Sequence, residues 1–209
     1  MQTKNIFMLS GNVCCSIFQK SVETYHIKDD VNAPSLNPYP PESFQFLLYQ
    51  KNWIDSVQWH FEDIIRNPDI NPVEGIAIKR KIDSLNQTRT DAVEKIDDYF
   101  LALFSKVKTE PNARLNSETP AWLLDRMSIL ILKIYHMKEQ VIRTDVSQKH
   151  VENCRAKLNV LLEQKADMEI CFDELMSDLQ SGIKKMKVYR QMKMYNDESL
   201  NPVLYGSKK

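Results

Sequence analysis

The sequence predicts an all-α fold, an antiparallel bundle of about five long helices, on three observations. Only 4 glycines stand among 209 residues, against 27% charged residues, which leaves few of the tight turns that sheets require. Apolar residues recur every three to four positions over long stretches, the period of amphipathic helices. Asn71–Pro72 and Thr119–Pro120 each set an N-capping side chain before a proline at the first helical position.

The elements follow in order. The first helix is predicted over 12–26, and the segment 29–41, with Pro34, Pro38, Pro40 and Pro41, cannot continue it and is a loop. The second spans 42–66 and closes at Asn67–Pro68, because a residue before proline is driven out of the helical region. The third spans 72–104, capped by Asn71, with Glu74 where a capping-box carboxylate would sit. A polar loop containing Pro111 covers 106–118, and the fourth helix covers 119–141. The fifth covers 147–182, with Gly182 as its natural stop, and 183–195 is expected to resume helically after a kink. The tail, 196–209, is irregular. Short links between long helices imply antiparallel neighbours in a single domain, and 43% hydrophobic residues supply its core.

Composition removes several functions. Lys plus Arg and Asp plus Glu balance at 28 each, so no net field draws the chain to nucleic acid. No stretch reaches the roughly 18–20 apolar residues of a membrane span, since Lys133 and His136 break Ile129–Met137. Asn5, Ser10, Gly11 and Asn12 interrupt any secretory hydrophobic region. Cys14, Cys15, Cys154 and Cys171 form no metal knuckle and read as reduced thiols of a cytoplasmic protein.

The leads are polar residues on apolar helix faces. On the second helix the stripe is Leu47, Ile54, Val57, Phe61 and Ile64, with His60 at its edge. The other face carries Trp59 among Asp55, Glu62, Asp63 and Arg66, and so large an indole is seldom left in water. Either Glu62 and Arg66 pair while Trp59 packs on a neighbour, or the group forms one wall of a site. On the third helix Arg89 interrupts the stripe Ile78, Ile82, Leu85, Val93, Ile96 and Phe100, with Asn86 beside it and Asp83, Thr90 and Asp97 flanking. Breaking a buried ion pair costs about 3–5 kcal/mol, a large part of a total stability of about 5–15 kcal/mol. Arg89 therefore needs a partner, a wet pocket or a ligand.

The fourth helix is apolar nearly all round, the mark of a helix surrounded by others. Trp122, Arg126, Ile129, Lys133 and His136 follow one path along it, with Asp125 and Ser128 further round. The expectation is a mid-bundle network in which Asp125, Arg126, Lys133 and His136 meet Asn86, Arg89, His60 and Asp63. Such a network either fixes helix register or lines a ligand pocket. On the fifth helix Leu158, Leu161, Met168, Phe172, Leu175 and Leu179 read as core, and Met186, Met192 and Met194 as packing or partner contacts.

Known chemistries mostly fail on count. A ferritin-like di-iron site needs two Glu-x-x-His pairs, and the chain has one, Glu23 and His26. A mononuclear metal on His60, Asp63 and His136 is geometrically conceivable, but no metal ligand is assigned and the cofactor stays open. No HExxH, phosphate loop or GxSxG occurs. Catalysis would rest on acid–base work by His60 or His136 beside Asp63 or Asp125.

Four segments carry a resemblance: Trp53–Arg66 (WIDSVQWHFEDIIR), the KRKID and LNQTRTD motifs within Lys79–Asp91, Ser117–Met137 (SETPAWLLDRMSILILKIYHM) and Lys185–Tyr205 (KMKVYRQMKMYNDESLNPVLY). They resemble a bacterial family catalogued as domain of unknown function 4254. The resemblance implies gene neighbourhoods rich in glycosyltransferases for cell-surface polysaccharide, hence an accessory or modifying role. The matching segments hold His60, Asp63, Arg89, Arg126 and His136.

Three functions stay open. One is binding of an anionic, sugar-phosphate-like molecule through Asn86, Arg89, Arg126 and Lys133, with Trp59, Glu62 and Arg66 at its wall and His60, Asp63, Asp125 and His136 as candidate acid–base groups. The second is a homodimeric scaffold using Trp59 and the methionine-rich C-terminal region. The third is a metal-dependent enzyme.

Overall fold

The computed structural model describes residues 9–192 and Leu200. It contains five helices: α1 (Gly11–Tyr25), α2 (Phe44–Ile65), α3 (Pro72–Phe104), α4 (Pro120–Val141) and α5 (Gln148–Gln180). The fold is all-α, and among the described residues no helix is long and apolar enough to cross a membrane.

Each helix starts at a short polar residue in extended backbone whose side chain accepts from an orphan amide. These caps are Ser10, Ser43, Asn71, Thr119 and Ser147. Each such cap contributes about 1 kcal/mol. The caps put every predicted helix boundary within two residues of its observed place.

α4 packs against all four other helices, so its all-round apolar character has a structural cause. Helices α2 to α5 alternate in direction. α2 and α3 pair Gln58 with Asn86 and Phe44 with Tyr99, and α3 and α4 pair Arg89 with Asp125. α1 departs from the expected alternation and runs parallel to α2: Ser21 bonds to the carbonyl of Tyr49 while Tyr25 meets Trp53, both offsets of the same sign and size. The proline-rich connector makes this possible, because it must return along a 15-residue helix, about 22 Å, before α2 begins. Fully buried Phe18, Tyr49, Leu124, Phe100 and Phe172 fill the centre.

After α5 the expected helical continuation does not occur over 183–192; residues 193–195 and the predicted tail, apart from Leu200, lie outside the described residues. Gly182 turns left-handed at φ 77° and ends the helix. The chain then pairs with the 105–119 loop: Glu110 N–H donates to Gly182 O (3.0 Å), Arg114 N–H to Ile183 O (2.9 Å) and Lys185 N–H to Arg114 O (2.9 Å). A Cβ at Gly182 would stand 2.5 Å from the Lys108 carbonyl oxygen, whereas one at Gly75 meets nothing closer than 3.7 Å. Gly182→Ala should therefore destabilise by about 1–3 kcal/mol, and Gly75→Ala should stabilise by about 0.5–1 kcal/mol. Urea unfolding of both variants checks the pair, and a loss at Gly75 matching that at Gly182 contradicts the assignment.

Candidate functional site

The middle turns of α2 are enclosed on every side, and residues 51–57 are all buried, including Lys51, Asn52, Asp55 and Ser56. Lys51 Nζ lies 2.7 Å from Asp125 Oδ1 on α4 and also ion-pairs with Asp55 one turn along its own helix. Arg89, from α3, grips Asp125 with Nε at 3.1 Å and Nη2 at 2.6 Å, and its Nε lies 3.2 Å from Asp55 Oδ1. Ser128 donates to Asp55 Oδ2 at 2.6 Å and accepts from Asn52 Nδ2 at 2.9 Å. Burial, with the neighbouring Asp125 carboxylate, holds the Asp55 carboxyl above its ordinary range, a rise that the adjacent Lys51 and Arg89 charges only partly offset. Two cations face two carboxylates, so the network is neutral as a unit.

Arg89 is where the network meets solvent. Its side chain is 30% exposed, while Lys51 and Asp55 are completely enclosed. It lines two clefts of about 280 Å³ each. The first is walled by Asp55, Gln58, Trp59, Glu62 and Arg66, the second by Asn86, Thr90, Trp122 and Asp125. Gln58 donates to Asn86 Oδ1 at 2.7 Å, which leaves its buried Oε1 without a partner among the described residues. No described residue accepts from Arg89 Nη1.

Of the residues predicted from sequence, Asn86, Arg89 and Asp125 meet here, with Trp59, Glu62 and Arg66 on the wall. Arg126 and Lys133 do not. Both are exposed, and Arg126 forks onto Glu118 at 2.9 and 3.0 Å. The path Trp122, Arg126, Ile129, Lys133, His136 is the outer edge of α4, and the inner face runs through Asp125, Ser128 and Leu132. A one-residue step turns the face by about 100°, enough to exchange inside for outside. Asp63 is likewise exposed and pairs with Arg66 at 3.2 Å, which also reaches Glu62 at 3.5 Å. Ile64, assigned to the apolar stripe, is exposed too.

His60 and His136 come together away from the Arg89 network, and His26, at the C-cap of α1, joins them. One ring nitrogen from each lies within 4.8 Å of the others, and His60 Nε2 is 3.1 Å from His26 Nε2. The rings are sandwiched: Tyr25 stacks on His60 at 5.1 Å, Tyr135 on His26 at 4.1 Å and Trp59 on His136 at 5.0 Å. Trp59 thus packs inside the chain, as one of the two readings from sequence has it. Burial holds His26 and His60 below the usual imidazole range, so both favour the neutral form. The methionines divide: Met186 packs on the core, Met192 is exposed and Met194 lies outside the described residues. All four cysteines are free thiols.

Sequence reasoning missed Lys51 and Asn52, put Asp55 on the wrong face and used His26 only as half of a failed di-iron motif. The available signal was the i,i+4 pair Lys51–Asp55 set among Trp53, Ile54 and Val57, with no polar face opposite. Lys51→Met should cost about 3–5 kcal/mol, because it leaves two enclosed carboxylates with one cation. Arg126→Ala, with its side chain 55% exposed, should change stability by no more than about 0.5 kcal/mol. Denaturant melts of the two variants check this, and equal losses would refute the buried placement of Lys51.

No curated protein and no solved structure matches the chain. A family model described as "Protein of unknown function (DUF4254)" matches residues 45–188, more than half of the chain and all of the Arg89 network. The protein belongs to that family.

Proposed function

We propose that the protein binds a small hydroxyl-rich molecule bearing at most one anionic group, of sugar-phosphate type, in the clefts on either side of Arg89. The observation that carries this reading is the state of the Arg89 side chain. One edge of the guanidinium is anchored by Asp125, no described residue accepts from Nη1, and Arg89 lines both clefts. Such a group is already oriented for an oxygen ligand, so little ordering entropy opposes binding. The buried Gln58 Oε1 calls for a donor such as a hydroxyl, and Trp59 supplies an apolar face.

The charge balance narrows the ligand. Lys51 and Arg89 are offset by Asp55 and Asp125, and Arg66 at the rim by Glu62 and Asp63, so an anion with several charged groups, such as a nucleoside diphosphate, finds no surplus of positive charge. A neutral sugar, or one carrying a single phosphate group, fits better. Binding, rather than acid–base catalysis, is the role supported, since Asp125 is committed to ion pairs and neither His60 nor Asp63 lines either cleft. The family resemblance, with its implied link to cell-surface glycan synthesis, agrees with a sugar-bearing ligand. In this reading the protein works in the bacterial cytoplasm, where its thiols stay reduced.

Thermal-shift and calorimetric titrations with inorganic phosphate, glucose 1-phosphate, UDP-glucose and a neutral disaccharide test the reading. A ligand at a hundred times its Kd adds about 2.7 kcal/mol, which in a chain of this size raises Tm by about 5–10 °C. Glucose 1-phosphate or the disaccharide should produce such a shift, and Trp59→Ala should weaken binding at least tenfold. If none of the four raises Tm while Arg89→Met is strongly destabilised without ligand, the network is purely structural.

A further inference from the structure

Three of the chain's four histidines converge at one point between α1, α2 and α4, and their hydrogen bonds leave them incompletely satisfied. His26 Nδ1 lies 2.7 Å from the Val22 carbonyl oxygen, which only accepts, so Nδ1 carries the proton and Nε2 a lone pair. His136 Nδ1 lies 2.9 Å from Glu139 Oε2, so the same holds for its Nε2, which is buried with no hydrogen-bond partner among the described residues. His60 turns its own Nε2 to within 3.1 Å of His26 Nε2. A proton on His60 Nε2 can serve His26, and the His136 lone pair is then left bare.

A cation at the meeting point satisfies all three nitrogens together. We propose that His26, His60 and His136 bind one divalent transition-metal ion, zinc(II) in particular, with a fourth position open to water beside Asp29. Tetrahedral zinc with bonds of about 2.0–2.1 Å separates its nitrogen ligands by about 3.3 Å, close to the 3.1 Å between His26 and His60. The surroundings are those of a ligand set. Val22 O and Glu139 hold the outer nitrogens of two rings, the second as a carboxylate–histidine pair that fixes tautomer and raises ligand basicity. Stacking by Tyr25, Tyr135 and Trp59 fixes the ring planes.

Asp29 adds an independent mark. It is the one non-glycine residue of positive φ, 48°, among the described residues, and this conformation sets its carboxylate 3.6 Å from His60 Nε2. That carboxylate is largely exposed, so this side of the cluster faces solvent. Three imidazoles without thiolate select zinc, cobalt, nickel or copper over magnesium and calcium, and three protein ligands leave room for a polarised water. The inference goes beyond the cleft reading and does not depend on it, because none of the three histidines lines either Arg89 cleft.

The test uses the full chain, stripped with chelator and titrated with cobalt(II) and zinc(II). One equivalent of cobalt should give the intense visible absorption of a tetrahedral site, and zinc should displace it at one ion per chain. His60→Ala and His136→Ala should each weaken binding at least a hundredfold, and Glu139→Gln about tenfold or more. His150→Ala, on α5 beside Cys154, should bind as the wild type does. The wild-type titration stands alone should a histidine variant fail to fold: no binding at micromolar metal overturns the proposal. So does a folded His136→Ala that keeps wild-type affinity.

Discussion

The four-charge cluster of Lys51, Asp55, Arg89 and Asp125 is the constraint on which the rest of the bundle depends. A carboxylate enclosed between helices is tolerable only while its cations stay in place, so α2, α3 and α4 cannot slide or rotate without stranding a charge. Apolar packing alone is more permissive, because leucines and phenylalanines exchange neighbours at modest cost. Here a neutral cluster, completed by Ser128 and Asn52, acts as the register pin of three helices. Its position decides where the clefts beside Arg89 lie.

The fold was largely legible because its signals are local. Asn71, Thr119 and the prolines that follow them mark helix starts by their own chemistry, and Gly182 marks a stop, wherever the helices then pack. What the local signal could not report was direction or face. The parallel course of α1 depends on a connector whose prolines say only that it is not helical. The pairing of 183–185 with the 105–119 loop involves partners about 70 residues apart.

The site was legible to a smaller degree, for a geometric reason. A helix with one wet face reveals its orientation through periodicity, but α2 and α4 are buried on most sides, so the pattern identifies burial without identifying which side meets which. Arg89 on amphipathic α3 was therefore placed correctly, whereas on α4 the choice between Asp125 and Arg126 fell partly on the wrong neighbour. Lys51 escaped notice because lysine is the residue least expected at zero exposure, and only its pairing with Asp55 makes it tolerable. The histidine cluster draws one residue from each of α2 and α4 and one from the C-cap of α1, and no spacing within a single segment encodes it.

The reversal of α1 has a consequence for the order in which the molecule assembles. Gly11 lies against the Glu169 backbone and donates to Asp173 at 2.7 Å, a contact spanning 162 residues. α1 packs most extensively on α2, the next helix in sequence, so most of it can seat as soon as that helix forms, and only its Gly11 end waits for α5. The Gly11–Asp173 contact is therefore a late clasp, drawing together segments far apart in sequence after the rest of α1 has found its place.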